Sequence, residues 1–185
     1  WKVAREWAVT VIHRLVCSRE ARPFGQARPK WFEVSFGTKK SPPELQSVKI
    51  PAARGGERDV FLTGQIDRID EAHGVVGVVD YKTSVRRGVA KDLLVREVQM
   101  PFYLLAVRAL APDAQVNGAW HAVGRNQLTT LAQAVRGLSV TELLATDELT
   151  RARLERDGAS NLANAVFALV GRLREGQFGA RPVDC

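Results

Sequence analysis

The segment from Val60 to Tyr81 restricts the fold more than any other part of this chain. Val60 to Ile69 reads as a strand, Asp70-Glu71-Ala72-His73-Gly74 as a turn, and Val75 to Tyr81 as a second strand. Spacing and turn residues make this a hairpin. The second strand begins Val75-Val76-Gly77-Val78-Val79. Successive strand side chains point to opposite faces, so an unbroken apolar run implies cover on both, as in a central strand of a layered sheet.

The flanking segments supply helices and further strands. Val3, Trp7, Val11 and Leu15 recur at helical spacing over residues 3 to 17, before Pro23, Gly25 and Pro29 break the chain; the spacing predicts a helix there. Trp31 to Gly37 reads as a strand. Thr38 to Glu57, with Pro42, Pro43, Pro51, Gly55 and Gly56, reads as a loop holding at most a short strand at Val48 to Ile50. Residues 92 to 111 give a helix, Val116 to Val123 a strand carrying Trp120, and 141 to 156 and 160 to 175 two more helices, the last ending at Gly176. No internal repeat and no clean linker divides the sequence, so one α/β domain over residues 1–185 is expected.

With 185 residues, 45% hydrophobic and 25% charged, the chain has room for one substantial core. No apolar run approaches the ~20 residues that span a bilayer, and no segment pairs a basic face with an exposed aromatic one, so a membrane partner is not expected. Trp1-Lys2-Val3 opens inside an amphipathic pattern, without an initiator Met or a signal-peptide layout. This reads as a domain excised from a larger protein. Two cysteines, Cys17 and Cys185, are too few for a disulfide framework, and a cytoplasmic location is expected. Cys17 lies in the apolar helical pattern and reads as a core residue. Lys and Arg number 27 against 20 Asp and Glu, a formal charge of +7. That excess, clustered at Arg19/Arg22, Arg86/Arg87/Lys91 and Arg172/Arg174, suits a polyanion bound through its phosphates, although basic charge alone discriminates weakly.

Chemistry concentrates at the hairpin. Asp67 and Asp80 close its two strands, 13 positions apart, and antiparallel pairing across a short turn can set them side by side. Lys82, two residues beyond Asp80, projects from the same face of an extended strand. Carboxylates hold a hard cation through oxygen, the cation polarises a phosphate and lowers the pKa of bound water, and a lysine can orient that water or stabilise charge on the phosphate. An isolated Asp-x-Lys recurs by chance as a solvated strand end, and Asp67 could simply pair with Arg68. An apolar strand ending Asp-Tyr-Lys-Thr after one carrying Gly-x-Ile-Asp is far more restrictive.

Gly64-Gln65-Ile66-Asp67-Arg68-Ile69-Asp70, Val79-Asp80-Tyr81-Lys82-Thr83 and Gln99-Met100-Pro101-Phe102-Tyr103 resemble three successive motifs of RecB/AddB-type nuclease domains in the PD-(D/E)XK superfamily, nearer the AddB form. The resemblance is concentrated in residues 60 to 106. It implies a restriction-endonuclease-like core, a central mixed sheet flanked by helices, acting as a Mg²⁺- or Mn²⁺-dependent DNA nuclease. Sequence-independent exonuclease action in double-strand break repair, beside a helicase domain or subunit, would follow. Asp67 and Asp80 would be metal ligands, with the Tyr81 carbonyl a further one, and Lys82 the catalytic lysine. Gln99 and Tyr103, at i and i+4 of a helix, would hold the lysine or the phosphate; the alternative is a helix-surface pair. For the upstream ligand two residues stay open: His13, in a His-x-x-Leu-like helix setting without the usual preceding glycine, and Glu33, in Glu33-Val34-Ser35-Phe36. Glu175-Gly176-Gln177-Phe178, followed by Pro182 and Cys185, resembles the AddB-type approach to an iron–sulfur site. Such a cluster needs a full set of thiolates, so only a longer parent protein could complete it.

Two readings from other classes remain open on the residues alone. One is a catalytically silent DNA-binding or scaffold subunit, disfavoured because Asp67, Asp80 and Lys82 are all intact. The other is an RNA-directed or structure-specific enzyme on the same fold. Arg86 and Arg87, just past Lys82 in a short glycine-containing segment, suit a phosphate-backbone clamp, against the plainer reading of a solvated loop. Trp31, Phe36 and Phe61 read as core rather than base-stacking residues. His73 and His121 are assigned no role.

Overall fold

The computed structural model describes residues 2–17, 22–83, 93–94, 97–123, 127–131 and 138–177, with backbone alone over 14–17. In chain order it runs α1 (Lys2–Cys17), β1 (Arg28–Phe36), a 3-10 turn (Pro43–Leu45), β2 (Val48–Ile50), β3 (Val60–Leu62), β4 (Gly64–Ala72), β5 (Val75–Lys82), α2 (Gln99–Leu110), β6 (Gln115–Ala122), β7 (Gln127–Thr130), α3 (Val140–Leu143), α4 (Glu148–Arg156) and α5 (Leu162–Arg174). Five strands form one mixed sheet in the order β1-β4-β5-β6-β7. β5 and β6 are parallel, and the other neighbours antiparallel. β5 is therefore the central strand that its apolar run predicts, with Val76, Val78 and Val79 buried. A parallel pair needs a crossover, and α2 lies on it.

Several sequence boundaries move. Val60 to Ile69 is two strands: Val60–Leu62 leaves the main sheet to pair with Val48–Ile50. The predicted turn at 70 to 74 shrinks to His73-Gly74, where Gly74 takes a positive φ of 72° that glycine adopts without steric cost. Asp70, Glu71 and Ala72 belong to β4. Asp70 can stay in the strand because Arg68 neutralises it, Nε to Oδ1 at 2.6 Å and Nη2 to Oδ2 at 2.7 Å. The helix expected from residue 92 starts at Gln99, and 141 to 156 divides into α3 and α4, because Asp147 caps a new helix through the Thr150 N–H. β7 was not foreseen. Phe61 is 66% exposed rather than core, standing beside Lys49. Phe36 is buried and Trp31 half-buried against the core, and the Cys17 side chain lies outside the described residues.

Two glycines let layers approach this sheet. A Cβ on Gly118 would sit 2.6 Å from Met100 Sδ, and one on Gly77 would lie 2.0 Å from the Phe24 ring. In strand register, Gly118 shares a face with Val78, Asp80 and Lys82 (Val78↔Gly118, Asp80↔Trp120, Lys82↔Ala122). α2 therefore packs on the face that carries the hairpin's acidic and basic ends. Met100, Leu104 and Val107 of α2 join Ile66, Val78, Trp120 and residues of α3 and α5 in one apolar cluster. A buried polar joint ties α4 to the loop before β3. Arg151, 1% exposed, donates to both Glu57 oxygens and to Asn164 Oδ1. Among the described residues, no helix is long and apolar enough to cross a membrane.

Candidate active site

The β4–β5 ladder reads Ile69↔Val78, Arg68↔Val79 and goes no further. The next residues in that register are Asp67 and Asp80, so both carboxylates stand where the strands begin to separate. Past the ladder's end, the Tyr81 N–H donates to Asp67 Oδ2 at 2.9 Å. The Asp67 carboxylate accepts no other hydrogen bond among the described residues. Asp80 is buried, and its Oδ2 has no hydrogen-bond partner there. Lys82 Nζ lies 3.0 Å from that oxygen, an ion pair. The lysine also donates to Gln99 Oε1 at 2.6 Å, and Gln99 Nε2 donates to the Tyr103 hydroxyl. Phe36 braces the Tyr103 ring edge-on, centroids 6.0 Å apart. Gln99 and Tyr103 face the sheet together because four residues make about one helical turn.

Burial pushes the Asp80 carboxyl up to about 6; Lys82 opposes this, while Asp67 and Glu97 add repulsion. Burial alone would lower the Lys82 ammonium, but the Asp80 charge outweighs it and raises the pKa above the ordinary value. One partner of this ion pair thus gains from it, while the other still pays for desolvation. Tyr103 is raised by burial, then by the Asp80 and Asp67 charges.

These donors fit a hard divalent cation. Asp80 meets one ammonium, but Asp67 and Glu97 add negative charge around it, and the nearby ligand atoms are oxygens, the chemistry that Mg²⁺ or Mn²⁺ prefers over softer metals. No three His, Cys, Asp or Glu side chains close into a metal-holding group among the described residues. Two carboxylates would need completing by a backbone carbonyl such as that of Tyr81 and by water, and Mg²⁺ commonly retains several waters.

The structure brings Asp67, Asp80, Lys82, Gln99 and Tyr103 to one place. Of the two upstream candidates, His13 is exposed on α1. Glu33 is exposed on β1 with a positive φ of 52°, and its Oε2 accepts from Gln65 Nε2 at 2.7 Å. Arg86, Arg87 and Cys185 lie outside the described residues. Sequence reasoning overlooked Glu97, whose charge raises Asp80; its place two residues before Gln99 was the available signal. Arg68, which the sequence offered as a plain partner for Asp67, is buried, pairs with Asp70 instead and reaches the Tyr81 hydroxyl.

Comparison with known proteins bears on this arrangement. One curated relative, an ATP-dependent helicase/deoxyribonuclease subunit from Moorella thermoacetica, is 36% identical over 101 residues, which is 48% of this chain but 8% of that protein. The sequence profile described as the PD-(D/E)XK nuclease superfamily matches residues 2–185. The mixed sheet with flanking helices is the restriction-endonuclease-like architecture that such a match implies. Since the match takes in every strand and helix described above, the chain belongs to the PD-(D/E)XK nuclease superfamily.

Proposed function

We propose that this chain is a metal-dependent deoxyribonuclease that hydrolyses phosphodiester bonds without reading sequence, acting from DNA ends during double-strand break repair. The observation that carries it is the buried Asp80 carboxylate, ion-paired with Lys82 at 3.0 Å and next in register to Asp67 where the strands part. Asp67 and Asp80 would hold the cation, with the Tyr81 carbonyl beside them. When bound, Mg²⁺ or Mn²⁺ supplies phosphate polarisation and a more acidic water. Lys82 keeps its proton under Asp80's influence, so it offers a fixed positive charge to the phosphate or orients the attacking water. Gln99 restricts where the ammonium points, and Tyr103 restricts Gln99, which favours one reactive geometry. Arg86 and Arg87 would clamp the backbone. The likeness to the Moorella helicase/deoxyribonuclease subunit supports DNA as substrate and a helicase domain or subunit as partner. The whole of 1–185 would act as one nuclease unit within a longer protein.

The test is to incubate the purified chain with end-labelled linear DNA, closed-circular DNA and matching RNA, with and without Mg²⁺. Mg²⁺-dependent loss of linear DNA with circles spared is the expected result. Cleavage of circles would replace exonuclease with endonuclease action, and preference for RNA would overturn the substrate. No hydrolysis of any substrate with Mg²⁺ would sink the catalytic reading.

A further inference from the structure

The two faces of β5 carry different polar groups. Asp80 and Lys82 share the face under α2, while Tyr81 projects to the other, where His121 is its register partner. On that face Arg68 forms a two-pronged ion pair with Asp70, and both residues are buried. The remaining prong of the guanidinium, Nη1, donates to the Tyr81 hydroxyl at 3.1 Å. The His121 ring lies against the Tyr81 ring, centroids 5.8 Å apart. These groups lie on the face opposite Asp80 and Lys82, yet they converge on Tyr81, whose backbone reaches Asp67. The Tyr81 N–H is the group that holds Asp67.

From this geometry we infer that Arg68 and Asp70 are positioning residues: through the Tyr81 hydroxyl they set the Tyr81 peptide, and so the Asp67 carboxylate, in the orientation that receives the cation. The inference rests on the metal-dependent reading above. The β6 ladder runs on through Lys82↔Ala122, but the β4 ladder ends at Arg68↔Val79, so the edge of Tyr81 that faces β4 is not held by strand pairing. A planar guanidinium suits this role, because two of its N–H groups engage Asp70 with fixed geometry and leave a third aimed in a set direction. The Asp70 charge keeps the buried Arg68 from being an uncompensated cation, so it stiffens the support without approaching the metal. Groups one step removed from a metal ligand commonly tune metal affinity by orienting that ligand.

The test uses the whole chain and Mn²⁺ alone as probe. Wild-type protein, Tyr81→Phe, Arg68→Lys and the double variant are titrated with Mn²⁺ by calorimetry, and exchange of the residue 81 amide is followed in metal-free protein. Tyr81→Phe removes only the hydroxyl, and Arg68→Lys keeps the charge beside Asp70 but loses the fork. Each should weaken Mn²⁺ binding about tenfold and speed amide exchange at position 81. The double variant should be no weaker than either single one, because both cut the same link. Wild-type Mn²⁺ affinity and wild-type exchange in Tyr81→Phe would overturn the inference, as would additive losses in the double variant. Failure of wild-type protein to bind Mn²⁺ would instead count against the metal-dependent reading itself. If Arg68→Lys does not fold, Tyr81→Phe decides the question alone.

Discussion

Lys82 Nζ stands 3.0 Å from Asp80 Oδ2 and donates a hydrogen bond to Gln99, 2.6 Å away on α2. The ammonium, with three N–H groups, thus bridges the buried carboxylate and the helix amide. The glutamine therefore fixes the direction of an ammonium that already lies against the carboxylate.

Substituting either of these groups should remove activity without removing the fold. Asp80→Ala and Lys82→Ala should each lower DNA cleavage by on the order of a hundredfold or more, with an unchanged circular dichroism spectrum. Asp80→Ala should also weaken Mn²⁺ binding. Wild-type rates from either variant would show that the site lies elsewhere.

Gln99→Ala should act mainly on turnover. Freed from its acceptor, the Lys82 ammonium loses the contact that fixes its direction and is misplaced in the transition state, while uniform substrate binding is retained. Steady-state kinetics should show kcat lowered about ten- to a hundredfold with KM nearly unchanged. Tyr103→Phe, which removes only the hydroxyl bonded to Gln99, should give a smaller effect in the same direction. A raised KM at full kcat would assign Gln99 to substrate binding.

The metal-free protein should lose stability as pH rises. Asp80 titrates near 3.8 when unfolded and near 6 when folded, so the folded state binds the proton more tightly. That contribution is complete below about pH 4 and disappears as pH rises through about 6, a change on the order of 3 kcal/mol. Asp80→Asn should flatten the curve across this window. Cation binding runs the other way, since it needs the carboxylate, and affinity for Mn²⁺ should fall as pH drops below about 6. Denaturant unfolding at several pH values checks the first statement and calorimetry the second. A wild-type curve that rises through the window would refute the assignment to Asp80.

Away from the site, Glu57→Gln tests the joint between α4 and the loop before β3. Arg151 is 1% exposed and takes both Glu57 oxygens, so the variant leaves a buried cation short of its partner. A loss of about 3–5 kcal/mol is expected, read from urea unfolding with an unchanged m-value. In the wild type, the Arg151 hydrogen bond holds the Glu57 carboxyl down to about 2, below its ordinary 4.5. Its contribution should be present above 4.5 and fade only as pH falls toward 2. A change under 1 kcal/mol would mean that water takes over the role of Glu57.

The proposed backbone clamp is tested by salt. Arg86→Ala/Arg87→Ala should weaken DNA binding for every sequence alike and reduce the slope of log affinity against log salt by roughly one to two. An unchanged slope, or selection of one short sequence from a random pool, would argue against it.

What the sequence determined by itself is local in origin. Apolar residues on both faces of Val75 to Val79 required a covered central strand, and strand alternation put Asp80 and Lys82 on one side whatever surrounded them. Helical spacing likewise paired Gln99 with Tyr103. Pairings between distant segments were not legible, because strand propensity does not name a partner. Val60–Leu62 looks continuous with Gly64–Ala72 until Val48–Ile50 claims it for a second sheet. Asp70 carries a turn preference that the buried Arg68 cancels, and Asp147 ends one helical pattern by capping another. Above all, Asp-x-Lys says nothing of solvent. Packing of α2 against Gly118 buried Asp80, stripped one oxygen of its hydrogen bonds and raised its pKa, and only a folded chain can withhold water from a group in this way.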